Sequence, residues 1–176
     1  WQDEQQLASE SEIAAWIDAL PADARAALLM QEDGVSLAAE NGVQALVPYA
    51  QGLLGGGLDP LNAAKALSPL LTGARPLILW NAKRLKTELA PWGLAVTAAF
   101  DDDQLMQYLL APQSGKYDAP ENAAALLEQT FADERALDEQ EMTKLYREIE
   151  LPLLTTLYDM ERDGFLVDRD ELTRLG

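Results

Sequence analysis

The chain contains no cysteine and no histidine. The first absence removes a disulfide framework and a thiol nucleophile. The two together remove the usual zinc ligands and every triad that relies on an imidazole base. Positive charge is scarce as well: 13 Lys and Arg stand against 30 Asp and Glu, a formal net charge of −17. That balance opposes a polyanion, whereas a nucleic-acid binder ordinarily presents a basic footprint. Aromatic residues make up 7% of the chain, which leaves little for stacking on unpaired bases. Long apolar runs are missing too. The stretch from Ala45 to Leu54 is interrupted by Pro48 and Gln51 and falls far short of the ~20 residues that cross a bilayer as a helix. What these absences leave open is carboxylate and metal chemistry, or binding.

The 176 residues are 48% hydrophobic and 24% charged, enough for a substantial core, and the length suits one domain with an appendage. Trp1 opens the sequence and Gly176 closes it inside a helix-like pattern, with no signal-peptide pattern at either end; the expectation is a piece of a longer protein. From Asp118 onward 16 acidic residues outnumber 6 basic ones, and no internal repeat is evident.

Ser9 and Glu12 form a capping-box pattern ahead of Ile13, Trp16, Ile17 and Leu20, so a short amphipathic helix is expected before Pro21. The apolar run from Ala26 to Gln31 reads as a buried strand, broken by Glu32, Asp33 and Gly34. On either side of Asn41-Gly42, residues 35–40 and 43–48 read as antiparallel strands joined by a type I′ turn. Gly55 to Gly57 with Asp59-Pro60 is not a phosphate loop, because no Gly-Lys-Ser/Thr follows. It reads as a turn into a helix capped by Asp59, carrying Leu61, Ala64 and Leu67 and ending near Ser68-Pro69. Ser36 sits in a pattern close to a nucleophile elbow, but with no histidine to act as base it is a strand residue.

Residues 77–80 read as a further buried strand, Asn81 as the cap of a helix carrying Leu85 and Leu89, and residues 94–98 as another strand. Asp101, Asp102 and Asp103 precede a helix with Leu105, Tyr108 and Leu109. Capping and the helix dipole account for these acids without a further partner; a metal site is the competing reading. Lys83, Arg84 and Lys86 form the one compact basic cluster, a pattern that also suits a solvated helix face. Residues 123–131 are expected to be helical. Asp138 with Glu141 is expected to open a second, long helix, bent at Pro152 and running to Asp163.

The stretch from Ile149 to Leu175 ties these pieces together. Leu154, Leu157 and Met160 give its first helix an apolar stripe, Gly164 suits the end of that helix, and Asp168 with Glu171 forms a capping box for the next. Antiparallel strands followed by alternating strands and helices imply a mixed α/β sheet. The combination Ile149-Glu150-Leu151-Pro152-Leu153, Met160-Glu161, Gly164 and Val167-Asp168 resembles the junction, in the bacterial DNA polymerase I family (family A), between the 3′-5′ exonuclease-like domain and the polymerase domain. Three upstream stretches agree in order. Gly34 to Tyr49 resembles the family's central hairpin, Asn81 to Arg84 with Trp92-Gly93-Leu94 resembles the segment of the second exonuclease motif, and Asp102 to Pro112 resembles the helix after it.

The resemblance implies an α/β fold with a ribonuclease H-like mixed sheet, an antiparallel hairpin plus parallel strands, flanked by helices. It implies an entry helix or linker in residues 1–20, a degenerate exonuclease-like domain in 21–137, a connecting helix in 138–163 and the start of the polymerase domain in 164–176. It further implies a cytoplasmic, nucleoid-associated monomer whose parent polymerase uses Mg2+. The family's proofreading site binds two divalent ions through acidic side chains on separate elements, and hard cations of this kind need several oxygen ligands. Here the first motif falls on Gln31-Glu32-Asp33, with neither register restoring Asp-x-Glu, and the second falls on Leu85, which shares a helical face with Leu89. Asp102 (Asp101 in another register) keeps one acidic position, and the third motif, Tyr-x-x-x-Asp, has no match; Tyr146 has Glu150 four residues on, but both lie inside the junction segment.

The expectation is therefore a domain with no catalytic residue, no metal ligand set and no cofactor of its own. It would scaffold the polymerase domain of the same chain and leave DNA contact to the parent enzyme. Two alternatives are an active nuclease rewired around Glu32, Asp33 and Asp101 to Asp103, and an acidic module that binds a basic protein. With Lys83, Arg84 and Lys86 as the sole compact cationic group, binding of single-stranded DNA by this chain should be weak or undetectable at moderate salt in a filter or anisotropy titration. Tight, salt-sensitive binding would contradict this reading.

Overall fold

A computed structural model of the protein describes residues 1–50 and 57–156. Its elements are β1 (Gln5–Gln6), α1 (Glu10–Asp18), β2 (Ala26–Met30), β3 (Gly34–Ala39), β4 (Gln44–Pro48), α2 (Pro60–Ala66), α3 (Ser68–Leu71), β5 (Leu77–Leu79), α4 (Ala82–Leu89), β6 (Phe100–Asp102), α5 (Asp103–Leu110), α6 (Ala123–Glu139) and α7 (Thr143–Leu145). Among the described residues six strands form one sheet in the order β1-β4-β3-β2-β5-β6. β2, β3 and β4 are antiparallel neighbours, while β1 on β4, β5 on β2 and β6 on β5 run parallel. The protein is thus α/β with a mixed sheet flanked by helices. Counted from β2, the strand order is third, second, first, fourth, fifth, compatible with the ribonuclease H-like arrangement.

The two faces of the sheet follow from the period-two alternation of side chains along a strand. Leu28, Leu37, Leu77 and Leu79 point to one face, where Ile13, Trp16, Leu67, Leu70, Leu85 and Leu89 from the helices pack on them. Ala27, Ala38 and Ile78 point to the other, under Ala123, Ala124, Leu126 and Leu127 of α6. The small residues on that second face let α6 lie close to the sheet. β3 is buried along its whole length, consistent with a central strand covered on both sides.

Helix starts obey the sequence. Ser9 caps α1 by accepting from the Glu12 N–H, and its hydroxyl donates to Glu12 Oε1 at 3.1 Å, one half of a capping box. Asp59 caps α2 with Pro60 at the first position, Asn81 caps α4 from a left-handed backbone (φ 60°), and Asn122 caps α6. Within the first twenty residues, Leu7, Ile13, Trp16 and Leu20 belong to the principal core, and β1 adds to the sheet edge.

Three local expectations are corrected. The β3–β4 connection is not type I′, which needs positive φ at both central residues; only Gly42 has it, at 94°. Gly42 N–H donates to Ala39 O (3.0 Å) and Ala39 N–H to Val43 O (3.0 Å), a three-residue loop with the glycine in the left-handed position. Residues 94–98 are not a strand. The Thr97 and Ala98 N–H groups both donate to Leu71 O (2.9 and 3.0 Å), which seats Val96 and Ala98 in the core, and the pairing partner of β5 is β6 instead.

α2 ends at Ala66, close to Ser68-Pro69 as expected, and Ser68 then opens the short α3, with Pro69 in its first turn, where a missing N–H costs nothing. Asp138 does not open a helix. The run from Ala123 has no breaker, so α6 continues to Glu139, and the reversal comes at Glu141, which adopts φ 58°. The next helical stretch begins at Thr143, passes through a π-helical stretch (Tyr146–Glu150) and continues over residues 151–156. Leu151 N–H reaches back to Tyr146 O, five residues away, immediately before Pro152, whose ring crowds the preceding turn and which has no N–H to give. Leu157, Met160, Gly164, Asp168 and Glu171, and Gly55 of the glycine run, lie outside the described residues.

Gly34 opens β3 where its strand presses on β4. A Cβ there would run into the backbone carbonyl oxygen of Val47, which cannot give way as a side-chain tip could. Gly34→Ala should therefore lower stability by about 1–3 kcal/mol, read as a lower urea midpoint at unchanged slope. A midpoint equal to that of the unaltered chain would contradict the close approach.

Candidate functional site

Two features of the fold gather the chemistry-bearing residues: the end of β6, where two helices begin, and a cleft at the carboxyl ends of β2 and β5. Asp102 is the last residue of β6 and the N-cap of α5. Its Oδ1 accepts from the N–H groups of Asn81 (3.1 Å), Gln104 (3.0 Å) and Leu105 (3.5 Å), and its Oδ2 accepts from the Ala82 N–H at 2.9 Å. One carboxylate thus serves the N-termini of both α4 and α5, where helix dipoles favour negative charge. Burial pushes the Asp102 carboxyl upward from its ordinary range, and the four N–H donors pull it back.

The neighbouring groups form a continuous network. Asp102 N–H donates to the Tyr146 hydroxyl oxygen (3.0 Å), and that hydroxyl donates to Asp101 Oδ1 at 2.9 Å. Asp101 also accepts from Arg147 Nη1 and Arg25 Nη1, each at 3.1 Å. Arg25 makes a paired contact with Glu134 (2.8 and 3.2 Å) and reaches Glu40 at 3.3 Å, while Arg147 Nη2 reaches Glu134 at 3.1 Å. Burial alone would lower the Arg25 guanidinium, but Glu134, Glu40 and Asp101 outweigh it and hold it above its ordinary value. Burial and then the Asp101 charge raise the Tyr146 phenol, so it remains a neutral donor.

Asp103, the first residue of α5, is fully buried. Its Oδ2 accepts from Gln129 Nε2 at 2.6 Å. Its Oδ1 has no partner, and Asp133 Oδ2 is likewise buried and unpartnered. Burial, followed by the neighbouring Asp133 carboxyl, pushes Asp103 up to about 9 against the opposing Gln129 bond. The shift keeps the Asp103 carboxyl protonated at neutral pH.

The cleft has a volume of about 550 Å³. β2 and β5 are parallel neighbours there while β3 runs the other way, the setting in which open α/β sheets take ligands. Gln31 and Leu85 line it, as do Glu32, Trp80, Arg84, Glu88, Tyr117 and Asp118; Asp33 and Asp102 do not. Gln31 spends its side-chain amide on Glu121 O at 2.6 Å. Leu85 is buried in the principal core beside Leu89. Asp33 is exposed, and its backbone carbonyl accepts from the Tyr49 N–H at 2.9 Å. Among the described residues no group of three Asp or Glu is placed to hold a metal ion. The basic cluster divides along α4: Arg84 pairs with Glu88 at 3.0 Å on the cleft wall, and Lys86 Nζ lies 5.0 Å from the Phe100 ring centroid. Lys83, one turn before Thr87, has its backbone carbonyl bonded by the Thr87 hydroxyl at 2.8 Å.

The structure therefore brings Gln31 and Leu85 to one cleft and leaves Asp33 and Asp102 outside it. Sequence reasoning did not find Arg25, Glu134, Asp133 or Arg147, and took Tyr146 for part of the junction. Arg25 meets its partners 15, 76 and 109 positions away, separations that no local pattern announces. Tyr146 carries a readable signal, four residues after Met142 on the inward side of its helix.

No protein-family model matches the chain, and no curated protein matches it. Its fold does match solved structures. One is the POL domain of Pol1 from M. smegmatis in complex with DNA primer-template and dNTP, with a TM-score of 0.66 and 21% sequence identity over 90% of this chain. The chain therefore shares its fold with part of that solved chain. The match spans 32% of that chain, so this chain corresponds to about a third of its length.

Asp102→Ala, which strands N–H groups at the start of two helices, should cost about 3 kcal/mol or more in a urea titration; a loss below about 1 kcal/mol would contradict its place at the joint. The Asp103 carboxyl gives a pH effect of defined sign. Its folded value of about 9 lies above the ordinary 3.8, so the folded chain holds a proton that the unfolded chain releases. This group's contribution to stability is fully present below about pH 4 and declines as pH rises through that window, by at most about 1.4 kcal/mol per pH unit. The stability of Asp103→Asn relative to the unaltered chain should therefore rise steadily from about pH 5 to about pH 8. A difference independent of pH would count against a protonated Asp103.

Proposed function

We propose that this chain is a non-catalytic 3′-5′ exonuclease-like domain of a bacterial DNA polymerase I that scaffolds the DNA-synthesising domain of the same polypeptide. One observation carries the reading: at the cleft where paired divalent ions would be clamped, the motif positions present an occupied amide, Gln31, and a core leucine, Leu85. Two-metal hydrolysis needs ions about 4 Å apart held by several carboxylate oxygens. Leu85 offers no ligand atom, and the Asp102 carboxylate already accepts from four backbone N–H groups and lies outside the cleft. The residues present do not fit such a metal pair, and no catalytic step is assigned to it.

The polymerase-related fold supports the parent assignment. The parent would use Mg2+ for synthesis and contact DNA through its own polymerase domain, with this domain contributing weak contacts at most, through Lys83, Arg84 and Lys86. No helix among the described residues is long and apolar enough to cross a membrane. A cytoplasmic monomer associated with the nucleoid through the parent fits this reading. The rewired-nuclease alternative lacks geometric support: Asp101 is paired with two arginines, Asp103 faces Asp133 and Gln129, and Asp33 stands outside the cleft.

Single-stranded DNA incubated with the chain and Mg2+ or Mn2+ should remain undegraded above a no-protein background. Robust hydrolysis that is lost in Glu32→Gln or Asp33→Asn would overturn the non-catalytic assignment. The parent assignment is checked separately by whether the coding sequence continues past residue 176 into a polymerase domain.

A further inference from the structure

The helical stretch from Thr143 to residue 156 is apolar on two sides. Its inner side carries Met142, Tyr146 and Leu151, packed with Met106, Leu109 and Leu137. The spacing of that inner set is four and then five residues, and the π-helical stretch (Tyr146–Glu150) supplies the extra residue; with regular α spacing Glu150 would take the place of Leu151. The outer side carries Leu145, Ile149 and Leu153, exposed to 36%, 56% and 45%. These are three of the five large apolar side chains that stand exposed among the described residues. Single exposed apolar residues are ordinary, but three at intervals of four on one helix make a stripe, and a helix apolar on both sides belongs between two packed surfaces.

We propose that this stripe, Leu145, Ile149 and Leu153, is the docking face for an apolar surface of the domain that follows in the same polypeptide. The inference rests on the reading above that such a domain is present. Three observations favour this occupant over a second copy of the chain or a foreign protein. The stripe lies on the last described element, and in sequence Leu157 and Met160 continue the apolar spacing at four and seven residues beyond Leu153. A domain tethered that closely is held at an effective concentration of order millimolar, which a free partner must match in solution.

The flanks are also balanced in a chain of net charge −17. Lys144 pairs with Glu148 at 3.9 Å, and Arg147 is turned to Asp101 and Glu134. A strongly basic partner finds little here to recognise, whereas an apolar surface with a mixed rim does. Finally, the similar solved chain extends well beyond the part matched, which is 32% of it.

The test uses the longer polypeptide containing the following domain, with and without Ile149→Glu and Leu153→Glu, and reads amide hydrogen exchange at Leu145 to Leu153 together with template-directed DNA synthesis. In the 176-residue chain the double variant should unfold at the same urea concentration as the unaltered chain, because both side chains are exposed there. In the longer polypeptide the unaltered stripe should exchange at least tenfold more slowly than in the 176-residue chain, and the double variant should lose that protection. Equal exchange in the two lengths, with DNA synthesis intact, would overturn the docking proposal and leave the parent reading standing. A longer polypeptide with no synthesis activity and no polymerase domain would instead remove the parent reading and the proposal's occupant with it. Protection of the stripe in the 176-residue chain that grows with protein concentration would overturn the proposal in favour of self-association.

Discussion

The Asp102 carboxylate is the constraint on which this half of the structure depends. It stands at the last position of β6, and four backbone N–H groups from the starts of α4 and α5 converge on it. Those donors belong to helix ends that have no partners of their own, so the group supplies hydrogen bonds that would otherwise be missing at two places at once. The strand end is fixed in turn by the Tyr146 hydroxyl, which accepts from the Asp102 N–H and donates a hydrogen bond to Asp101. Through Asp101 the joint extends to Arg25 and Arg147 and from them to Glu134 on α6. A run of three aspartates, which in sequence suggests either a helix cap or a metal site, is in the structure mainly an anchor.

The same commitment bears on function. Asp102 accepts four hydrogen bonds inside the protein and does not line the cleft, which Gln31 and Leu85 do. Leu85 is held in place by the packing that makes α4 a helix of this fold, alongside Leu89 against the sheet. Replacing it with an acid would put a charge into the core, and a single acid does not bind two ions.

Much of the fold was legible because its signals are local. Ser9, Asp59 and Asn81 each cap the helix their side chains announce, and the strand at Ala26 and the hairpin around Gly42 follow from apolar runs and one glycine. The errors came where a local pattern met a non-local competitor. Residues 94–98 alternate like a strand, but the Leu71 carbonyl captures their N–H groups. Asp138 and Glu141 imitate a cap inside a helix that nothing interrupts. β1 is two glutamines long and is defined by its pairing with β4. Of the candidate site, Gln31 and Leu85 on the cleft wall could be named from the resemblance alone. The arginine network and the Asp103–Asp133 pair could not, since their members are far apart in sequence and join only when β6, α6 and the π-helical stretch meet.

The account stands or falls on whether the cleft between β2 and β5 can hold a pair of metal ions. Crystals of the chain soaked in Mn2+ and measured for anomalous scattering test this directly. The account predicts no paired manganese positions in the cleft, with Leu85 remaining in the core and Asp102 bonded to the helix N-termini. Two ions about 4 Å apart, ligated by Glu32, Asp118 or any of Asp101 to Asp103, would contradict it.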